Sequence, residues 1–161
     1  MWLVKISDHV NKVIRFLLFP IFLAMFLVVF IAVVLRQMNI SFVSSYDIAR
    51  VFFIWMTYLG VTVIYKNNGH IKFNFFYDRF TGLKKYLLDL FINIVILITF
   101  IVIFYVSINF MGRIRIQKLP GSGIPATLLY LPFVFSSLIL IIHSIAVIFI
   151  IITEIKLKKN R

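Results

Sequence analysis

The chain contains no cysteine. Disulfides and thiolate metal sites are therefore excluded, and cysteine usage gives no guide to redox compartment. Charge is also scarce: 14% of the 161 residues are charged, against 63% that are hydrophobic. A soluble core of this size cannot hide so much apolar surface. Paired carboxylates, histidines at metal-ligand spacing and a phosphate-binding glycine loop are missing too. No cofactor is implied, and nothing here supports catalysis.

What the chain does have is long apolar runs with 19 phenylalanines among them. A run of about 20 apolar residues crosses a bilayer as a helix. Lipid offers the backbone no hydrogen bonds, so only helices and closed barrels span it. These runs are continuous rather than alternating, which selects helices. Four spans are legible, at about 16–35, 48–65, 86–111 and 128–152. Pro20 sits near the start of the first and Pro132 in the early turns of the fourth. The first run is not followed by a small-residue cleavage pattern, so it is expected to be a retained helix. The expected fold is one all-α membrane domain over 1–161: four transmembrane helices plus short interfacial amphipathic helices. Trp2, Tyr65 and Tyr86 fall near the expected membrane edges, where aromatic rings act as anchors.

Basic residues set the orientation. The N-terminal segment, the connection after the second span and the C-terminal tail carry twelve Lys and Arg, and the opposite side carries four. The positive-inside rule then puts both termini in the cytoplasm. The same rule accounts for the net charge of +12, so a nucleic-acid partner is not expected. Residues 72–85, KFNFFYDRFTGLKK, place Phe73, Phe76, Phe80 and Leu83 on one helical face. Residues 2–13 place Trp2, Ile6, Val10 and Val13 on one stripe. Each segment reads either as an interfacial helix or as part of an ordinary connection.

Ionisable residues inside lipid are functional suspects. Asp89 lies one turn into the third span with Asn93 a turn further on, where an acid suits the helix dipole. His143 and Ser144 lie deep in the fourth span. A proton relay and a hydrogen bond to a neighbouring helix are the two readings of that pair. No acid lies at mid-membrane, which disfavours a proton-coupled carrier acting alone. Gly121-Ser122-Gly123 is similar to part of an intramembrane serine protease motif. His143, however, is about 20 residues away, roughly 30 Å along a helix, too far to share a proton with Ser122. The same ruler separates Arg50 from His70, which flank the second span. Arg50 follows Asp47 at i+3, a helix-face pair. Gly69 and His70 are expected to end that helix and turn the chain into the interfacial segment.

Asp47-Ile48-Ala49-Arg50, the aromatic run ending at Trp55, Leu59-Gly60 and Gly69-His70-Ile71 together resemble the signature of a known family. It is the small, DctQ-like membrane subunit of TRAP transporters, the tripartite ATP-independent periplasmic transporters. Gly123-Ile124-Pro125 followed by Tyr130-Leu131-Pro132 is similar to the start of that family's fourth helix. The chain departs from the pattern at Tyr46, where the family has an acid, and at Lys66-Asn67-Asn68. The resemblance implies a scaffold subunit in the bacterial inner membrane, without substrate or sodium sites of its own. Its implied partners are a large multi-span subunit, a periplasmic substrate-binding protein and membrane lipids. The imported solute would be an organic acid of the C4-dicarboxylate or sialic acid type, driven by sodium. Asp47, Arg50, Trp55, Gly60 and His143 become candidates for the interface with the large subunit. Arg36, Arg113, Arg115 and Lys118 form a basic outer surface with two readings, docking of the binding protein and contact with lipid headgroups. The alternative is a self-sufficient homo-oligomeric transporter or channel.

Overall fold

The computed structural model describes residues 2–67 and 83–159. Nearly all of them lie in four helices: α1 (Trp2–Gln37), α2 (Ser44–Asn67), α3 (Leu83–Ile114) and α4 (Ala126–Lys159). Each is long and apolar enough to cross a membrane. The all-α, four-span architecture expected from the apolar runs is the one present.

The helices outrun those apolar runs. α1 has 36 residues, about 54 Å of helix against about 30 Å of hydrocarbon. Residues 2–13 are its first turns rather than a separate interfacial helix. No glycine or proline between Val13 and Phe16 would break the helix. The face this segment buries is also not its apolar stripe: Ser7, Asn11 and Ile14 are buried at i, i+4, i+7 spacing, while Val13 is exposed. Of the other expected interfacial segment, residues 72–82 lie outside the described residues, and Leu83 already begins α3.

α4 is the central helix. It packs along α3 and also contacts α2 and α1, while α1 packs chiefly on α2. Leu129, Leu140, Ala146 and Ile151 are among its buried residues, interleaved with Ser136, Ser137 and Ser144. Such small side chains let helix backbones approach closely where lipid supplies no hydrophobic drive. α1 shows the opposite pattern. From Phe16 to Val34 it presents Phe19, Phe22, Phe26 and Phe30 outward.

The turn after α1 follows from one residue. Asn39 adopts φ 58°, a left-handed conformation that asparagine tolerates better than most residues. The Ile40 N–H then reaches the Leu35 carbonyl at 3.0 Å, and the Asn39 N–H reaches that of Arg36 at 3.2 Å. This pair of bonds is a Schellman ending. At the same end, residues 115–125 fold back as a tight loop. The Leu119 N–H donates to the Ile124 carbonyl at 2.8 Å, and the Ala126 N–H to that of Gln117 at 2.9 Å. Leu119 thereby joins Val51 and Leu129 in a buried cluster, flanked by Ile54, Trp55, Ile124 and Tyr130.

Pro132 explains a contact in this cluster. In a helix the Leu128 carbonyl would accept from the N–H of residue 132, and proline has none. The Trp55 indole N–H donates to the Leu128 carbonyl instead, at 3.0 Å. Its ring packs against Phe135 at 6.1 Å between centroids. Replacing Trp55 by Phe should therefore destabilise the bundle by about 1 kcal/mol, and by less when Pro132→Ala restores the backbone donor. Unfolding of the four variants in detergent measures this coupling. An equal cost in both backgrounds would rule it out.

Candidate functional site

Two polar clusters stand at opposite ends of α2. The first forms around Asp47, in the first turn of the helix. A carboxylate there is favoured by the helix dipole, and this one also has specific partners. Its Oδ2 accepts from the Gly121 N–H at 2.9 Å, the Ser122 N–H at 2.9 Å and the Ser122 hydroxyl at 3.1 Å. The Ser44 hydroxyl donates to the Gly121 carbonyl at 2.9 Å. Asp47 is thus a buried clasp that pins the loop between α3 and α4 onto the start of α2. The close approach favours glycine at 121, since a Cβ there would lie 3.0 Å from Asp47 Oδ2 and 3.2 Å from the Val43 carbonyl.

The second cluster lies about 27 Å along α2, at Tyr65. Asn93 donates its amide to the Asp89 carbonyl at 2.8 Å, which turns its oxygen toward Tyr65. The Tyr65 hydroxyl donates to that oxygen at 3.0 Å. Its single proton is then committed, so the Ser144 hydroxyl, also at 3.0 Å, is the donor in the remaining contact. One residue away, His143 Nδ1 and the Ser7 hydroxyl are 2.8 Å apart. The Lys66 ammonium pairs with Asp8 at 3.0 Å. Asn11 and Arg15 both donate to the Asn67 amide oxygen, at 3.3 and 3.0 Å. All four helices contribute to this layer.

The residues singled out from the sequence distribute as follows. Asp47, Trp55 and His143 are engaged within the chain. His143 is fully buried, so it lies inside the bundle rather than on a partner-facing surface. It forms the helix-to-helix hydrogen bond that is one of its two readings. Asp47 bonds the loop and not Arg50, which is exposed. Gly60 is half-buried, with open space where a side chain would stand. Arg36, Arg113, Arg115 and Lys118 are exposed, with Arg36 at the end of α1 and the other three around the end of α3 and its loop. Gly69 and His70 lie outside the described residues. Ser122 bonds Asp47 and His143 bonds Ser7, so the two do not form a Ser-His pair.

Sequence reasoning overlooks Ser7 and misplaces Tyr65. An aromatic at position 65 reads as a membrane-edge anchor, but the structure buries it as the hub of the second cluster. The available signal is the concentration of Asn, Ser and Tyr at one axial level of successive spans. Four polar residues outside the clusters bond within their own helix. Thr99, Ser107 and Thr153 return their hydroxyls to the carbonyl four residues back, and Asn109 does the same with its amide.

A helical bundle with clasped ends and an apolar exterior defines a small integral membrane protein built to sit in lipid. The chain belongs to the DctQ component family of the tripartite ATP-independent periplasmic transporters, whose profile matches residues 25–153. It is similar to two Haemophilus influenzae proteins, each named as a putative TRAP transporter small permease protein. One is 26% identical over 134 residues, covering 83% of this chain and 81% of that protein. The other is 28% identical over 153 residues, covering 91% and 94%. The chain is therefore a multi-pass protein of the bacterial inner membrane and a component of a tripartite transporter.

The Asp47 clasp makes a local prediction. Asp47→Ala strips two backbone N–H groups of their acceptor, and Gly121→Ala pushes the loop off it. Either change should speed hydrogen exchange at residues 121 and 122 by roughly tenfold or more. Protection equal to that of the unaltered chain would show that the clasp does not hold the loop.

Proposed function

We propose that this chain is the small scaffold subunit of a sodium-driven, binding-protein-dependent importer of an organic acid. The solute is of the C4-dicarboxylate or sialic acid type. The chain packs beside a large transport subunit and holds the fixed part of the carrier in the bilayer. Family membership is the observation that carries this reading, and the name small permease in the two relatives points to a larger companion. The engagement of Asp47, Trp55 and His143 within the chain supports a static role. The surface left for the large subunit then includes exposed Arg50 and the open space over Gly60, together with the apolar faces of α1 and α3. The clasped residues act there indirectly, by fixing the shape of the bundle.

Both termini face the cytoplasm in this reading, which the distribution of Lys and Arg supports. Arg113, Arg115, Lys118 and Arg36 then face the periplasm. The cluster around the α3–α4 loop offers a basic surface to acidic patches on the binding protein. The sodium and solute sites belong to the large subunit.

Affinity purification should recover a much larger multi-span protein at one-to-one ratio, and Gly60→Leu should reduce that recovery without lowering the thermal stability of the isolated chain. Solute uptake by the isolated chain in liposomes would replace the scaffold reading with that of a self-sufficient transporter or channel.

Reversing charge at Arg113 and Arg115 together should lower uptake roughly tenfold at limiting binding-protein concentration, with the membrane complex intact. Normal uptake under that condition would remove the docking role.

A further inference from the structure

At the end of α1 a groove of about 600 Å³ opens between α1 and α2. It is lined by Val29, Ala32 and Val33 from α1, by Ala49 from α2 and by residues 39–43 of the connection between the two helices. Ala32 and Ala49 both line it, and neither side chain reaches beyond a methyl group. The rim is polar and includes Arg36, Asn39 and Tyr46.

The groove runs through two chemical levels. Arg36 directly follows the apolar run 16–35, which places its guanidinium at the headgroup boundary. Val29 is seven residues deeper, about 10 Å along the helix. Among the described residues Arg36 has no ion-pair or side-chain hydrogen-bond partner. A ligand that matches this gradient carries an anion at the boundary and hydrocarbon below it. A phosphate suits the guanidinium because two parallel N–H donors meet two oxygens.

We propose that the α1–α2 groove is a binding site for one phospholipid, with its phosphate on Arg36 and its upper acyl chain between Ala32 and Ala49. The site belongs to this chain alone and does not depend on the scaffold reading. Its rim donors, the Tyr46 hydroxyl and Asn39 amide, lie where glycerol and headgroup oxygens would stand. The bound lipid would extend the apolar surface of α1 at a place where the protein alone is concave.

Native mass spectrometry of the full chain in mild detergent tests the site. The probes are phosphatidylglycerol and a diacylglycerol with the same acyl chains, which lacks the phosphate. The chain should retain one phosphatidylglycerol and no diacylglycerol above background. Arg36→Gln should lower retention about fivefold, while Arg36→Lys keeps most of it. Ala49→Phe should abolish retention by filling the groove. Arg50→Gln, which removes an equal charge near the same end but outside the groove, should leave it unchanged. Thermal unfolding of each variant checks that the bundle is intact. Equal retention by Arg36→Gln, or equal retention of diacylglycerol, would reduce the contact to ordinary annular lipid and overturn the proposal. So would loss of the lipid from the unaltered chain on co-purification with a larger subunit, which would make that protein the occupant.

Discussion

Helices in a bilayer gain little by hiding apolar side chains from one another, because lipid tails are as apolar as leucine. Close packing and hydrogen bonds must hold this bundle together instead. The chain meets that constraint with small residues along α4 and with polar clusters at both ends of α2. The Asp47 clasp closes one end by joining residues 74 and 75 positions apart. The Tyr65 and His143 layer closes the other and draws in every helix. Between the two lie apolar and aromatic contacts such as Tyr58 on Phe133, with ring centroids 4.0 Å apart.

These fastenings look inward. The carboxylate that resembles a family signature serves a loop of its own chain, and the buried histidine serves a neighbouring helix. Arg50 and Gly60, from the same stretch of α2, behave differently, because one projects outward and the other leaves a space. A single signature thus combines residues that build the subunit with residues available to another protein. Membership in a transporter family requires no transport chemistry in this subunit. Among the described residues, the polar groups of the two clusters complete the fold.

The four spans are legible in the sequence because bilayer thickness dictates apolar length, and a soluble core of this size has no room for four such continuous runs. Their ends are less legible. Hydropathy marks where lipid stops, whereas α1 and α4 continue as helices beyond it. Asp47 illustrates the same limit at one residue. Its position at the start of α2 is clear, but its partners Gly121 and Ser122 are distant in sequence, and no local pattern announces them. Arg50 is its nearer charge and so the natural candidate for pairing. Ser7 is hidden by a misleading apolar stripe on the same helix. Tyr65 is obscured because an aromatic near a membrane edge is usually an anchor. His143 is half legible: its neighbourhood suggests a helix–helix bond, but not that the bond reaches the first turns of α1.

The central position of α4 has a consequence for how the subunit is made. Translation produces α4 after the three helices that pack on it. α1 and α2 can pair as soon as both are inserted, but α3 must wait in lipid without its main partner. Asp47 waits as well, since its three donors lie beyond α3. A nascent chain halted before α4 would therefore display a half-finished pair, a lone apolar helix and an unsatisfied carboxylate. Such an intermediate is open to capture by membrane chaperones or by quality-control proteases. The bundle's outer surface takes its final shape only after α4 has arrived.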